Sequence, residues 1–524
     1  MTLHLTSHIN APGTPLTHFW SHCVGAGRAN EGLRADWQAQ LRLAVEHAGF
    51  RSIRFHGLFH DDMFVFHRTA DGREVYNWQY IDQLFDALLE IGIRPFVELS
   101  FCPSGMSTKR TDVFWWKGNV QVPQDLDAWG RLVEALARHC IDRYGRDEVL
   151  TWCFEVWNEP NSCFFFMPTL RSLYMELYRA SALALKRVDP GLRVGGPATA
   201  GYVYNDRHDH EEAVCDGYLP EGVPLQELPF RAAWLEYLMQ WCAREGVPCD
   251  FVSAHPYPTD WTLYEPGKGR SFTRPLGATP KDLRWTRLVV NQGPFPKAEI
   301  HLTEWNSSPS PRDHHHDFPQ AATFLVHEIL ASIGLVDSLA YWTFTDVFEE
   351  NGAGDTIWHG GFGLINLQGI VKPAFHGYRM LNRLGDELLT RVDGGVITRR
   401  HGRVQALVCH FPPQQPLSLP SCDTPAEAHA CLTLGDPRQL HLELHGLPPG
   451  AAFCMETLDR DHGWARGVWE AMGSPEPPTR EQAATLRQAA WATRKEQLIA
   501  DVNGHLIIDR ELAPWSVALL EQLI

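Results

Sequence analysis

The chain has 524 residues, of which 44% are hydrophobic and 21% charged, as in an ordinary globular protein. Its formal net charge of −17, from 46 basic and 63 acidic residues, argues against a nucleic-acid partner or an anionic membrane surface. The length exceeds that of one ordinary domain, although a barrel can take most of it.

The amino terminus, residues 1–8, has neither a basic n-region nor an apolar h-region, so no secretory signal is expected. No apolar run approaches the ~20 residues of a membrane span. The 12 cysteines form no CxxC pairs, and several fall inside apolar periodic segments, which favours reduced core thiols over disulfides. We therefore expect a cytoplasmic protein.

Short apolar runs alternate with amphipathic helices from residue 17 onwards. The predicted strands are 18–24, 52–56, 94–99, 150–154, 192–197, 250–255, 300–305 and 338–344. The predicted helices lie near 35–48, 78–91, 129–140, 169–188, 230–245, 280–291, 319–333 and 373–384. Eight strand–helix pairs in strict alternation predict an α/β fold, a (β/α)8 TIM barrel over residues 15–385.

Several loops that follow the predicted strands are long. They are 57–77, 101–125, 198–229, 257–279 and 345–371. Long loops on one rim wall a pocket rather than an open groove, which favours attack at the end of a polymer chain.

The periodicity changes to two after about residue 385. Alternating apolar runs between Pro and Gly turns predict an accessory antiparallel β-sandwich over residues 386–524. Residues 1–14 are expected to add a strand, because Leu3 and Leu5 alternate. One helix near 479–490 is expected to interrupt the sandwich, since Thr479 and Gln482 have capping-box spacing.

Two of the predicted strands lead into a Glu that stands near a Trp and an Asn. Glu159 follows the fourth strand and Glu304 ends the seventh, so a closed barrel brings both to its catalytic face. Paired carboxylates can cleave a glycosidic bond, and we predict retention with Glu159 as acid/base and Glu304 as nucleophile. Asn158 is placed to bind the 2-hydroxyl of the sugar, and Tyr257 to orient Glu304.

Each of these residues also has a structural interpretation. Glu159 alone is compatible with a buried salt bridge, and Tyr257 and His255 with packing at the rim. Glu155 faces the same side of its strand as Glu159, and we expect it to form an ion pair within the barrel, with Arg54 as a candidate partner.

Two segments rich in His and Asp invite a metal-site interpretation. They are 313–317 and 206–210. Adjacent histidines on a loop converge on one ion less readily than histidines at i, i+4 on a helix. The sequence therefore favours a solvated or sugar-facing loop for each segment.

Four motifs in order resemble glycoside hydrolase family 39, whose clan carries its catalytic glutamates on strands four and seven. They are residues 157–161 (WNEPN), 255–258 (HPYP), 303–306 (TEWN) and 341–350 (YWTFTDVFEE). The resemblance, closer to its β-xylosidases than to its α-L-iduronidases, implies release of xylose from the non-reducing ends of β-1,4-xylo-oligosaccharides, without metal or cofactor. It also implies sugar-binding roles for His56, Asn158, His255, Tyr257, Trp342, Glu349 and Glu350.

The choice between xylose and iduronate depends on charge in the pocket. Recognition of a substrate carboxylate calls for Arg or Lys. The loop after the eighth strand instead carries Asp346, Glu349 and Glu350, whereas Arg54 and Lys117 keep an iduronidase open. A non-catalytic carbohydrate-binding barrel is the alternative from another class.

Overall fold

The computed structural model describes residues 2–203, 211, 230–258, 274–348, 350–412 and 421–523. Within these residues, eight parallel strands close into one barrel in chain order, with the eighth paired to the first. They are Cys23–Arg28, Ser52–His56, Arg94–Leu99, Cys153–Val156, Arg193–Ala200, Phe251–His255, Glu299–Trp305 and Ser338–Tyr341. The predicted α/β barrel is confirmed, and the carboxyl ends of its strands meet at one rim.

A long helix follows each barrel strand. The eight are Ala35–Ala48, Gln79–Ile91, Leu126–Tyr144, Arg171–Val188, Leu235–Glu245, Ala278–Gln292, Pro319–Ala331 and Pro373–Asn382. Gln79–Ile91 shows why they form, since its buried residues Ile81, Leu84, Phe85 and Leu88 fall at i, i+3, i+4 and i+7. Gly92 ends this helix in the left-handed region, at φ 92°.

The first barrel strand differs from the prediction for residues 18–24. Phe19–Ser21 is a 3₁₀ helix, and the strand runs over Cys23–Arg28. Its Gly25 lies so close to the eighth strand that a Cβ there would be 2.6 Å from Cε3 of Trp342. Gly25 makes the alternation of apolar residues along this strand harder to recognise in the sequence, but close packing of the two strands requires it. The eighth strand also ends earlier than predicted, at Tyr341.

Apart from three two-stranded sheets in the barrel loops, the remaining described strands form two packed sheets with a shared apolar core. The smaller sheet contains Leu3–His8, Arg438–His445 and Leu506–Leu512. The larger contains Thr14–Pro15, Glu387–Val392, Gly395–Arg400, Arg403–His410, Ser516–Gln522, Ala452–Leu458 and Arg494–Ile499. The pairing of Leu3–His8 with Arg438–His445 is parallel, so the sandwich is not antiparallel throughout. The domain boundary at residue 385 stays a prediction.

In the described part of this region, three helices, rather than the single one predicted, accompany the sandwich strands. They are Pro425–Leu432, Ala465–Ala471 and Arg480–Ala490. The last has the predicted capping box, in which Thr479 and Gln482 satisfy each other's backbone N–H groups. The other two are short, and their periodicity is correspondingly weak.

Of the two alternatives predicted for residues 313–317, a solvated or a sugar-facing loop, the solvated one is wrong. His314–Asp317 forms a 3₁₀ helix in which His315, His316 and Asp317 are buried. Burial is possible because polar partners surround the segment, as when Lys372 pairs with Asp317 at 2.8 Å. The similar segment 206–210 lies outside the described residues, as does Glu349.

No disulfide joins the eleven cysteines within the described residues, and nine of the eleven are buried. Among the described residues, no helix combines the length and apolarity that a membrane crossing requires.

Candidate active site

Glu159 and Glu304 come together at the carboxyl-terminal rim of the barrel. One carboxylate oxygen of each lies within 4.8 Å of the other, and both lie within that distance of a ring nitrogen of His255. So close an approach agrees with retaining glycosidases, whose two carboxyl groups lie about 5–5.5 Å apart, rather than with inverting ones, which keep theirs roughly 6.5–9.5 Å apart. The two carboxylates are thus arranged for double displacement.

The backbone around Glu159 is strained. Trp157 and Glu159 have φ values of 69° and 45°, in the left-handed region that non-glycine residues avoid. Such positions cost of order 1–3 kcal/mol each and persist where the surroundings hold them. Here the N–H of Glu159 donates to the carbonyl oxygen of Ala198 on the neighbouring strand at 2.9 Å. With this backbone, the Glu159 carboxyl lies 2.8 Å from His255 Nδ1.

Arg54 is the positive centre of the site and is fully buried. Its guanidinium donates at 2.7 Å to Glu304 Oε1 and at 2.7 Å to Glu155 Oε2. It also lies 2.8 Å from Glu98 Oε2 and donates to Asn158 Oδ1 at 2.8 Å. The predicted ion pair of Arg54 with Glu155 is confirmed. Because three carboxylates surround one guanidinium, the site keeps an excess of negative charge.

The surrounding charges act differently on the pKa values of the two glutamates. Burial, and next the negative charge of Glu304, raises the pKa of Glu159 well above its ordinary value. Burial raises the pKa of Glu304 too, but there the contact with Arg54 opposes it. The proton of the pair therefore resides on Glu159, as a general acid requires, and Glu304 holds the negative charge.

A chain of hydrogen bonds determines which group donates in the hydrogen bond between His255 and Glu159. The Thr303 hydroxyl donates to Glu155 Oε1 at 2.8 Å, so its oxygen accepts from His255 Nε2, 3.0 Å away. His255 Nδ1 is then a bare acceptor, 2.8 Å from Glu159 Oε1. Burial, with the nearby Arg54, lowers the pKa of His255 well below its ordinary value, which keeps the ring neutral. Protonated Glu159 is the donor to this ring.

Tyr257 holds the other glutamate in place. Its hydroxyl donates to Glu304 Oε2 at 3.1 Å, while Arg54 holds Oε1. The predicted orienting contact is confirmed. Burial and the charge of Glu304 raise the pKa of Tyr257 well above its ordinary value, so the hydroxyl keeps its proton.

His56 and Trp342 form a wall beside Glu304. His56 Nε2 lies 3.5 Å from Glu304 Oε1, and its Nδ1 lies 2.8 Å from Glu98 Oε2. The rings of His56 and Trp342 have centroids 4.8 Å apart, and Trp342 packs in an apolar cluster with Tyr257. An aromatic wall next to the nucleophile suits the C–H face of a sugar.

Asn158 and Glu350 each present a buried polar atom without a partner. Within the described part of the chain, Asn158 Nδ2 and Glu350 Oε2 make no hydrogen bond. Burial, and next the charge of Glu304, raises the pKa of Glu350 to about 8. Buried polar groups normally find partners, so two orphans beside the glutamates indicate where ligand hydroxyls bind.

Sequence reasoning missed two members of this network. Glu98 holds both Arg54 and His56, and Thr303 connects Glu155 to His255. Thr303 stands next to Glu304 in the chain, but its role depends on contacts between strands four, six and seven. Alternation along the strands is the one signal that could have placed Glu98 inside the barrel.

The donors Glu159, His255 and Glu304 are also close enough to hold a divalent cation. Arg54 already supplies the positive charge that Glu304 needs, at 2.7 Å. The hydrogen bonds above therefore account for the arrangement of these three side chains.

Comparisons with known proteins agree with this geometry. The family model for glycosyl hydrolases family 39 matches residues 4–506. A β-xylosidase of Caldicellulosiruptor saccharolyticus is 35% identical over 513 residues, 96% of this chain and 94% of the relative. A β-xylosidase of Geobacillus stearothermophilus is 33% identical over 527 residues, 98% of this chain and 95% of the relative.

Comparison with solved structures also finds a β-xylosidase of similar fold and sequence. The crystal structure of a monomeric β-xylosidase from Caulobacter crescentus CB15 superposes with a TM-score of 0.84 at 33% identity, covering 99% of each chain. The match of fold and sequence extends over the barrel and the sandwich together. The chain therefore belongs to glycosyl hydrolases family 39.

Proposed function

We propose that the chain is a retaining, exo-acting β-xylosidase that releases xylose from the non-reducing ends of β-1,4-xylo-oligosaccharides. The observation that carries the proposal is the approach of Glu159 and Glu304 to within 4.8 Å. The named relatives are β-xylosidases, in agreement with this substrate.

In the first step, Glu304 attacks the anomeric carbon while the bond from that carbon to the leaving oxygen breaks. Glu159 gives its proton to the leaving oxygen, and a glycosyl ester of Glu304 remains. Arg54 and Tyr257 keep Glu304 ionised and oriented until the attack.

In the second step, ionised Glu159 takes a proton from water, and the water oxygen attacks the anomeric carbon. The bond to Glu304 breaks, and xylose leaves with its β configuration retained. The bare Nδ1 of His255 faces the Glu159 carboxylate, and this lone pair disfavours the ionised form. Glu159 is thereby driven to take the proton.

The remaining sugar contacts are assigned from their positions beside Glu304. Asn158 Nδ2 is available to a sugar hydroxyl such as the 2-hydroxyl, and Trp342 to the ring face. His56, His255 and Tyr257 contact Glu304 or Glu159 and so stand beside the bound sugar, and Glu350 accepts from or donates to further hydroxyls. Glu349 keeps its proposed role from the sequence motif alone.

An α-L-iduronidase, a more distant kind of relative, is disfavoured by the charge of the site. Such an enzyme needs a cation free to meet a substrate carboxylate. Of the two cations that keep this alternative open in the sequence, Arg54 is fully buried and is paired with Glu98, Glu155 and Glu304, whereas Lys117 is exposed. A neutral pentose fits this site better than an acidic sugar.

Azide rescue tests the proposal. In Glu159→Ala, we expect an aryl β-xyloside with a good leaving group to form the glycosyl-enzyme, which azide then converts to a β-xylosyl azide. Wild-type rates on a poor leaving group would remove Glu159 from the mechanism. A preference for an aryl iduronide over the xyloside would replace the proposed substrate.

A further inference from the structure

Three metal-binding side chains converge away from the catalytic glutamates. One ligand atom from each of His315, Cys422 and Cys431 lies within 4.8 Å of the other two. His315 Nε2 and Cys422 Sγ are 3.2 Å apart. The three side chains are buried, with residue exposures of 1%, 2% and 6%. An imidazole and two thiols in one buried cluster form a typical zinc ligand set.

Backbone hydrogen bonds hold these ligands together without help from the thiols. The Cys422 N–H donates to Asp313 Oδ1 at 3.0 Å, and the His314 N–H donates to the Cys422 carbonyl at 2.9 Å. Gln320 Nε2 donates to the carbonyl of Ala428 at 2.9 Å, inside the helix that carries Cys431. The cluster is therefore built into the contact between two chain segments.

Asp313 also orients the imidazole. Its Oδ1 lies 3.3 Å from His315 Nδ1, on the side of the ring away from the sulfur. Metal-binding histidines commonly direct their second nitrogen at a carboxylate, which fixes the tautomer and leaves the other nitrogen for the ion. This contact does not involve the thiols of the two cysteines, and it points to the same ligand.

We propose that His315, Cys422 and Cys431 bind a zinc ion. Zn–S bonds of about 2.3 Å and Zn–N bonds of about 2.0–2.1 Å place tetrahedral ligands roughly 3.5–3.8 Å apart, so small side-chain movements complete the site. Thiolate and imidazole select zinc over the hard cations Mg²⁺ and Ca²⁺. Three protein ligands leave one position for a water molecule.

The ion joins two parts of the chain that are distant in sequence. His315 follows the barrel strand that carries Glu304. Cys422 precedes the helix Pro425–Leu432, and Cys431 lies in the last turn of that helix. The zinc thus fastens the segment after the nucleophile's strand to the accessory domain. This role does not depend on which sugar the enzyme cleaves.

Metal loading of the full chain tests the site. Chelator-stripped wild-type protein, incubated with Zn²⁺ under reducing conditions and desalted, is expected to retain about one zinc per chain by mass spectrometry of the metal. Cys431→Ser and Cys422→Ser are expected to lose at least nine-tenths of it. Cys242→Ser is the matched control, because Cys242 neighbours Cys249 but belongs to no three-ligand group in the described residues.

Two further measurements complete the test. Asp313→Asn is expected to weaken zinc binding about 10–100-fold, the usual effect of losing the carboxylate behind a ligand His. Wild-type protein loaded with Co²⁺ is expected to show thiolate-to-cobalt charge-transfer absorption, a readout that needs no variant to fold. Equal zinc in wild type and Cys431→Ser, a cobalt spectrum without charge transfer, or a Cys422–Cys431 disulfide in the protein prepared under reduction would overturn the proposal.

Discussion

Thr303 links the ion-paired interior of the barrel to the acid/base carboxyl. Its hydroxyl donates to Glu155 and accepts from His255, and this order makes His255 Nδ1 an acceptor for Glu159. A carboxyl whose partner can only accept is favoured in its protonated form. Thr303 is thus a positioning residue that acts on Glu159 through His255.

We expect Thr303→Val to move the alkaline limb of the kcat/KM profile to lower pH by up to about one pH unit. One hydrogen bond contributes about 1 kcal/mol, and a shift of one pKa unit corresponds to about 1.4 kcal/mol. Without the hydroxyl, His255 can carry its proton on Nδ1 and donate to ionised Glu159, which lowers the pKa of the acid. Thr303→Ser keeps the hydroxyl and should keep the wild-type limb. A valine profile that superposes on wild type, with only kcat reduced, contradicts the relay.

At the scale of elements, the strands set the distances within the site. The first strand approaches the eighth closely because Gly25 has no side chain, and Trp342 fills the space left. The position of an aromatic wall of the pocket therefore depends on a residue that touches no ligand.

We expect Gly25→Ala to raise KM for an aryl xyloside and to lower the free energy of unfolding by about 1–3 kcal/mol. The added Cβ would lie 2.6 Å from Trp342 Cε3 and 3.0 Å from the Tyr341 carbonyl oxygen, so the indole must move. Kinetics and denaturant unfolding measure the two effects.

Gly130→Ala is the matched control for this change. Gly130 is buried in the helix Leu126–Tyr144, where a new Cβ meets nothing closer than 3.7 Å. Alanine there should stabilise the helix by about 0.5–1 kcal/mol and leave KM unchanged. Equal KM values for the two variants would show that Gly25 does not position Trp342.

The sequence predicts the elements of the barrel well and their contacts poorly. The stripe in Gln79–Ile91 and the Glu at the end of Glu299–Trp305 are local patterns, so the helix and the nucleophile can be found without a structure. Glu98 and Thr303 act through side chains on other strands, and the burial of His315 depends on a segment over a hundred residues away. Such relations arise only when the chain closes.

At the scale of the whole molecule, barrel and sandwich share one continuous apolar core and a buried ion cluster. Glu456, in the strand Ala452–Leu458, accepts from Arg379 at 2.6 Å and also from Arg383. Arg379 lies in the last barrel helix, and Arg383 directly follows that helix. Against the effect of its burial, these arginines and Thr493 lower the pKa of Glu456 to about 2. The two units are thus fastened by charge as well as by packing.

We expect Glu456→Gln to cost about 2 kcal/mol of unfolding free energy at neutral pH, a value reduced for the partial exposure of Arg383. The pKa of Glu456 falls from its ordinary 4.5 to about 2 on folding, so this stabilisation is present above pH 4.5 and is lost as pH falls towards 2. The difference between wild type and variant should therefore shrink over that range.

Glu134→Gln is the control, because both partners of Glu134, Arg138 and Arg187, have side chains that are more than half exposed. It should cost less than about 1 kcal/mol, and denaturant unfolding at several pH values measures both variants. A Glu456→Gln cost as small as that of the control would show that the ion cluster does not fasten the sandwich to the barrel.

The stereochemistry of hydrolysis tests the placement of the two glutamates most directly. Proton NMR of an aryl β-xyloside reaction distinguishes the anomer released first from the one formed later by mutarotation. With Glu159 and Glu304 close enough for a covalent intermediate, β-xylose should appear first and α-xylose only afterwards. Initial release of α-xylose would mean a single displacement by water, and would contradict the site described for this barrel.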